Sequence, residues 1–288
     1  MAEFPIPARL AAHSADRGGW LAALPDIVDG LARRWSLTLG RPYEPGGECS
    51  WVAPAVTATG DDVVLKVGWT HDESRDEAAA LRVWDGRGTV RLLEAAVEGE
   101  TTALLLERAA PGTPLSDRDG PEQDEVLAGL LRRLWVEPGA AQPFRPLSEM
   151  CDTWVDEARP ELTHVDPGLV RDGLALFAAL PREPSPQVLL ATDLHAENVL
   201  AAQREPWLVV DPKPYVGDPA YDVLQHLLND PVRLTADPRG FARHMAGLTG
   251  LDADRVITWL FARCVVEAAW WPYDLVPVAR TLAAGDRR

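Results

Sequence analysis

Cysteine is scarce: Cys49, Cys151 and Cys264 are odd in number and far apart, which excludes a disulfide framework and a thiolate metal site. A reducing, cytoplasmic setting is the expectation. Basic charge is also short. The net charge of −16 argues against nucleic acid as a partner, because phosphate binding needs concentrated cations. No apolar run is long enough to span a bilayer, so no membrane role is expected. The opening MAEFPIPARLAAHSADRGGW lacks the basic start and apolar run of a secretory signal. Lysine is almost missing. Of 28 basic residues only Lys66 and Lys213 are lysines. Where arginine is the default cation, a remaining lysine marks a place that suits a compact ammonium on a flexible stem.

What is present describes an ordinary globular chain, with 47% apolar and 25% charged residues over 288 positions. That length fits two lobes, as a monomer or weak dimer. The acidic surface suits a cationic small-molecule substrate, although solubility alone is the readier explanation. The first third reads as strands plus one helix. WVAPAV and VVLKV form a hairpin around TATGDD, with Val63, Leu65 and Val67 on one face and Val64 and Lys66 on the other. DESRDEAAALRVWDGRG reads as a helix capped by Asp72, with Glu77, Leu81 and Trp84 along one side and Gly86 at its end. VRLLEAA and TALLLER follow as strands. Beyond a Pro/Gly/Asp-rich connector the chain is mainly helical, over 122–136, 147–158, 167–180, 218–229, 239–247 and 252–270. A β island interrupts these helices.

That island starts with LLATDLHAENVL, which packs Asp193, His195, Glu197 and Asn198 between apolar residues. NVLAA, QREP and WLVVD read as strand, turn and strand. A turn at 203–206 sets Ala202 opposite Trp207 and Asn198 opposite Asp211, at roughly 4.5–5.5 Å. Two oxygen-bearing side chains are then close enough to share a hard cation such as Mg²⁺, with Asp193 on the loop before them and Lys213 just beyond. Strand-end polar residues of no function are the competing explanation. His195-x-Glu197 matches half of a zinc deaminase motif, but the P-C-x-x-C half is absent. No G-x-S-x-G nucleophile elbow appears either. Phosphoryl transfer fits better: a base, an Asn and an Asp on metal, and a Lys from a separate β-rich lobe. Asp193, Asn198, Asp211 and Lys66 supply these, and Glu77 is placed to hold Lys66.

ATDLHAENVL with WLVVDPKPYVGDPAYDV resembles the signature of the aminoglycoside phosphotransferases, and within them the streptomycin 6-phosphotransferase and hydroxyurea phosphotransferase subgroup. VLKVGW, EAAALRVWDG and LLLERAAPG extend the likeness over most of the chain. The resemblance implies an α+β, protein-kinase-like bilobal fold with ATP in the cleft. A small β-rich N-terminal lobe would cover 1–108 and a larger, mainly helical lobe 109–288. It implies Asp193 as catalytic base, Asn198 and Asp211 on Mg²⁺, and Lys66 on the α and β phosphates with Glu77 as its partner. Backbone from Glu107 through Arg108 to Ala109 would meet the adenine, and PGGECSWV, with Gly46 and Gly47, would form the loop over the phosphates. Lys213 either reaches a phosphate or pairs with a neighbouring acid.

Two positions depart from the pattern. Ala191 stands where the family has a histidine that buttresses the loop, and Glu197 stands where many relatives have a small residue. Glu197 and His195 are candidates for acceptor contacts, as are Glu267 and Asp274 beside the tryptophans of CVVEAAWWPYD, where acid next to aromatic suits an amino-sugar or guanidino group. Each also has a purely structural explanation. Asp218 and Asp222 in GDPAYD are expected to cap and anchor the helix that follows. The expected activity is ATP-dependent O-phosphorylation of an aminoglycoside of streptomycin type. Kinases of another hydroxylated metabolite (a sugar, an amino alcohol or hydroxyurea) are the alternative. A nucleotide-binding pseudokinase is a third reading, against which the intact Lys66, Asp193, Asn198 and Asp211 set argues.

Overall fold

A computed structural model describes residues 4–71, 74–139 and 144–284, and its chain separates into two compact units. The first runs to Gly112 and also includes Ala202–Arg204, while the second takes Thr113–Ala201 and the chain from Glu205 onward.

The first unit is built on an antiparallel sheet of β1 (Thr38–Leu39), β2 (Ser50–Val56), β3 (Asp62–Trp69), β4 (Leu92–Glu98) and β5 (Thr101–Glu107), in the order β1-β2-β3-β5-β4. Alternation decides the faces of β3. Val63, Leu65 and Val67 are no more than 1% exposed, while Val64 and Lys66 stand half-buried on the other side. The buried face packs against a helix, Gly18–Arg34, through Trp20, Leu24, Val28 and Leu31. Each such side chain contributes roughly 1.5–3 kcal/mol on burial. The expectation of one helix in this third of the chain missed Gly18–Arg34. Pro25 and the Gly18-Gly19 pair disfavour a helix locally, yet a 3–4 apolar spacing and a sheet to cover outweigh them.

The expected helix after β3 is present as Glu77–Trp84, with Glu77, Ala80, Leu81 and Trp84 buried. Asp85 ends it in the left-handed region at φ 47°, followed by Gly86 at φ 75°. The expected cap, Asp72, lies outside the described residues.

The second unit is largely helical. Its principal helices are Gly120–Leu134, Leu147–Glu161, Pro167–Ala179, Pro238–Thr249, Ala253–Glu267 and Val276–Ala284. Asp-Pro pairs start several of them: Asp166, Asp218, Asp230 and Asp237 each accept an N–H two or three residues on, and the proline after each needs no partner. The longest buried surface belongs to Ala253–Glu267, which lies against Pro167–Ala179. Gly173 permits the approach, since a Cβ there would come within 2.5 Å of Val265. The helix expected over 218–229 is broken into Pro219–Asp222 and Leu224–Leu228, and the one expected over 252–270 stops at Glu267. Among the helices sit two short antiparallel pairs, β6 (Val188–Leu190) with β9 (Tyr215–Gly217) and β7 (Val199–Ala201) with β8 (Trp207–Val209). Among the described residues no helix is long and apolar enough to cross a membrane.

Candidate active site

In the first unit, Lys66 reaches across from β3 to the start of the next helix. Its Nζ donates to both carboxylate oxygens of Glu77, at 2.8 Å to Oε1 and 2.6 Å to Oε2. The Glu77 side chain is 2% exposed and that of Lys66 12%, so the pair sits mostly out of water, where charge–charge attraction is strong. Gly46 has φ +80°, and a Cβ there would lie 2.5 Å from Pro7 Cβ, so its glycine has a local steric reason. Gly47 follows without such a constraint. The Glu107 side chain is taken by Arg204, and Arg108 pairs with Asp62 at 3.2 Å on the surface. Only the backbone of Glu107–Ala109 is thus at issue for a nucleotide base.

In the second unit, Asp193 follows a tight turn. Its N–H donates to the carbonyl of Ala191 at 2.7 Å, and the residue between them, Thr192, has φ +50°. Threonine tolerates that region poorly, so the surroundings must hold it there. They do so from two sides. Thr192 Oγ1 donates to the carbonyl of Lys213 at 2.5 Å and its N–H to Asp222 Oδ1 at 2.6 Å. The Lys213 N–H in turn donates to the carbonyl of Ala191 at 2.8 Å, stitching the Asp193 loop to the Asp211–Lys213 segment.

Asn198 closes the loop. Its Nδ2 donates to the Asp193 carbonyl at 3.0 Å and lies 3.4 Å from Asp193 Oδ2. With the amide nitrogen so engaged, Oδ1 is the atom Asn198 would offer a cation. The hairpin register differs from expectation: Ala201, not Ala202, faces Trp207, and Val199 faces Val209. The connection is one residue longer than the expected turn. Asn198 is therefore level with Val210, whose N–H donates to its carbonyl at 2.9 Å, and Asp211 turns out of the strand at φ +53°. Lys213 Nζ lies 3.1 Å from Asp211 Oδ1. His195 Nε2 is 3.9 Å from Asp193 Oδ1, and burial holds the imidazole below its ordinary pKa against the pull of Glu197. Glu197 itself is exposed.

Asn198 and Asp211 offer oxygen donors only, the chemistry Mg²⁺ prefers. Among the described residues no group of three or more His, Cys, Asp or Glu side chains is placed to hold a metal. Two protein ligands completed by phosphate and water suit Mg²⁺, which keeps much of its hydration and favours substrate oxygens.

The expected acceptor residues near the carboxyl terminus are placed otherwise. Glu267 is 2% exposed and accepts from Arg263 Nε at 2.7 Å within the helix, so it does not stand beside the half-exposed Trp270 as a carboxylate facing out. Asp274 caps Val276–Ala284, accepting the Val276 N–H at 2.9 Å. Asp218 caps its helix as expected, but Asp222 does not. It turns back to the Ala191 and Thr192 amides and to the Trp135 indole. Thr192, Trp135 and Asp222 are the site residues the sequence reading missed in these roles. For Asp222 the only signal was its distance of one turn beyond a cap already supplied.

A sheet presenting a Lys–Glu pair and a helical unit presenting Asp193, Asn198 and Asp211 on short β elements define a protein-kinase-like, bilobal α+β fold. Choline kinase LicA from Streptococcus pneumoniae shares it at TM-score 0.63 and 12% identity, over 91% of this chain and 98% of that one. Macrolide 2′-phosphotransferase MphH from Brachybacterium faecium shares it at TM-score 0.56 and 20% identity, over 91% and 97%.

The chain belongs to the family described as aminoglycoside/hydroxyurea antibiotic resistance kinase, which matches residues 34–274, and it is a small-molecule phosphotransferase. It is 37% identical to streptomycin 6-kinase of Streptomyces glaucescens, over 98% of this chain and 97% of that protein. It is 38% identical to hydroxyurea phosphotransferase of Kitasatospora aureofaciens, over 92% and 79%.

Proposed function

We propose that this chain transfers the γ-phosphoryl group of ATP to a hydroxyl of an aminoglycoside of streptomycin type. The observation that carries the reading is the loop geometry of the second unit, where Asp193 is fixed on a strained turn and bonded to Asn198, one of the two proposed oxygen ligands. Asp193 orients the acceptor hydroxyl and takes its proton as the oxygen–phosphorus bond forms and the bond to the departing ADP breaks. Lys66, steadied by Glu77, offsets charge on the nucleotide phosphates. Asn198 and Asp211 would hold Mg²⁺, whose charge would offset that on the phosphates. The backbone of Glu107–Ala109 receives the base, the Gly46-Gly47 loop covers the phosphates, and Lys213 keeps Asp211 oriented. The net charge of −16 favours approach of a cationic acceptor. Glu197, exposed on the same loop, is the carboxylate best placed to meet it.

Hydroxyurea is the second reading, because the hydroxyurea phosphotransferase relative is as similar as the streptomycin kinase. ATP turnover against streptomycin, other aminoglycosides, hydroxyurea, sugars and amino alcohols tests both. ADP release dependent on streptomycin supports the first reading. Turnover with hydroxyurea and not streptomycin replaces it, and no turnover with any acceptor overturns both.

A further inference from the structure

We propose that Trp135 is a positioning residue for the Asp193 loop, acting through the carboxylate of Asp222. This deepens the proposed function, since it rests on Asp193 as the base. Three N–H donors meet on Asp222: Ala191 N–H to Oδ2 at 3.1 Å, Thr192 N–H to Oδ1 at 2.6 Å, and Trp135 Nε1–H to Oδ2 at 3.0 Å. Asp222 has no exposed surface, so these donors take the place of water. Two of them are main chain. Among the described residues the indole is the single side-chain donor, and at position 191 an alanine methyl supplies none.

The place of Trp135 in the chain suits the role. Its own N–H ends the helix Gly120–Leu134 on the carbonyl of Leu131 at 3.0 Å. The next residue, Val136, accepts the Leu189 N–H at 2.9 Å and so ties this segment to β6, the strand that runs into the loop. The helix end and the loop are thereby fixed relative to one another, with the carboxylate clamped among donors from both.

The consequence falls on Thr192. Its left-handed backbone is held by Asp222 on its N–H and by the Lys213 carbonyl on its hydroxyl. The indole fixes where Oδ2 lies, hence where Oδ1 meets the Thr192 amide, hence the direction in which the chain leaves for Asp193. Without the indole N–H, Oδ2 keeps only the Ala191 N–H and Oδ1 only the Thr192 N–H, so the carboxylate is held by the loop it restrains and no longer by the helix end. The turn then loses its lateral restraint while the packing beneath it stays intact.

The experiment uses the full chain as wild type, Trp135→Phe, Trp135→His and Asp193→Asn. The first readout is hydrogen–deuterium exchange of peptides spanning 189–195, with peptides from β3 as the reference. Trp135→Phe keeps a ring and removes the donor, so exchange at 189–195 rises about tenfold with β3 unchanged; Trp135→His, which keeps an N–H, recovers part of the protection. The second readout is ATP-dependent phosphorylation of streptomycin, where kcat of Trp135→Phe falls about tenfold with KM for ATP held within about twofold. Unchanged exchange at 189–195 in Trp135→Phe, or a rise equal to that of β3, overturns the proposal and leaves the base assignment standing. Wild-type turnover by Asp193→Asn removes the base reading and this inference with it.

Discussion

Arg204 closes a two-armed ion pair on Glu107, from Nε to Oε1 at 2.8 Å and from Nη2 to Oε2 at 2.8 Å, although 97 positions separate them in the chain. The same guanidinium donates to the carbonyls of Gly86 at 2.7 Å and Thr89 at 2.8 Å. Burial would raise the Glu107 pKa, but the Arg204 bonds and the Arg91 N–H hold it below the ordinary value. Residues 202–204 therefore join the β-rich unit through one side chain that pins the end of β5 and the 86–91 turn.

Arg204→Ala accordingly weakens the first unit. Its side chain and that of Glu107 are 23% and 21% exposed, so solvent screens the pair only partly. Losing a charged hydrogen-bond partner of this kind costs about 1.5–3 kcal/mol. Arg204→Lys recovers little, because an ammonium cannot span both carboxylate oxygens and two carbonyls at once. Urea unfolding of both variants measures this, and a lysine variant as stable as wild type would contradict the fork.

Lys66 and Glu77 allow charge and catalysis to be separated. Lys66→Met takes the ammonium away from a nearly buried carboxylate, at a cost of about 3–5 kcal/mol. Adding Glu77→Leu removes that buried charge as well and restores most of the stability. Turnover stays lost in both, because the ammonium is the group proposed to meet phosphate. Thermal unfolding alongside kcat checks the pair. A double variant that regains activity as well as stability would show that Lys66 serves the fold alone.

Much of this was legible in the sequence, and the failures have physical causes. The faces of β3 followed from alternation, and the Lys66–Glu77 meeting followed from a helix placed directly after the strand. Both are local relationships. The hairpin register missed by one residue because turn length sets pairing, and QREP gave no Gly or Asn at a fixed place to set that length. Gly18–Arg34 was hidden by Pro25, whose local cost only tertiary burial outweighs. Acid beside aromatic made Glu267 a candidate next to Trp270, but its partner, Arg263, lies one turn earlier, on the helix face that packing turned inward. Asp222 and Trp135 meet across 87 positions, a distance no periodicity reports.

Asn198 gives a test of the metal assignment that binding as well as rate can read. Its Nδ2 donates to the Asp193 carbonyl at 3.0 Å, and Asn198→Ala removes that donor together with the oxygen proposed to meet the cation. The loop loses a bond worth about 0.5–1.5 kcal/mol and the ion loses one of its two proposed protein ligands. The expected outcome is a lower kcat together with a higher Mg²⁺ concentration for half-maximal rate. Isothermal titration of the nucleotide across a Mg²⁺ series should show the same shift. A fall in kcat with no change in Mg²⁺ dependence would assign Asn198 to holding the loop and not to the ion.

Asp222 gives the stability of this chain a pH dependence of definite sign. Burial raises its pKa from 3.8 to about 6, and the bonds from Ala191, Trp135 and Thr192 only partly oppose this. Between those two values the folded chain holds a proton that the unfolded chain has released. The contribution of Asp222 to stability is therefore greatest at low pH, declines as pH rises from 3.8 through about 6, and is lower by about 3 kcal/mol above it. Asp222→Asn cannot ionise and removes that slope, so the stability difference between wild type and variant narrows or reverses by about 3 kcal/mol from pH 4 to pH 7. Turnover moves in the opposite sense, because the ionised carboxylate accepts all three donors and the amide turns its own N–H groups toward them. The variant is therefore slow at neutral pH even where it is the more stable form. Urea unfolding at intervals from pH 4 to pH 7 decides the matter: a constant difference between the two proteins would mean that Asp222 is already ionised in the acid range, with its three donors outweighing burial.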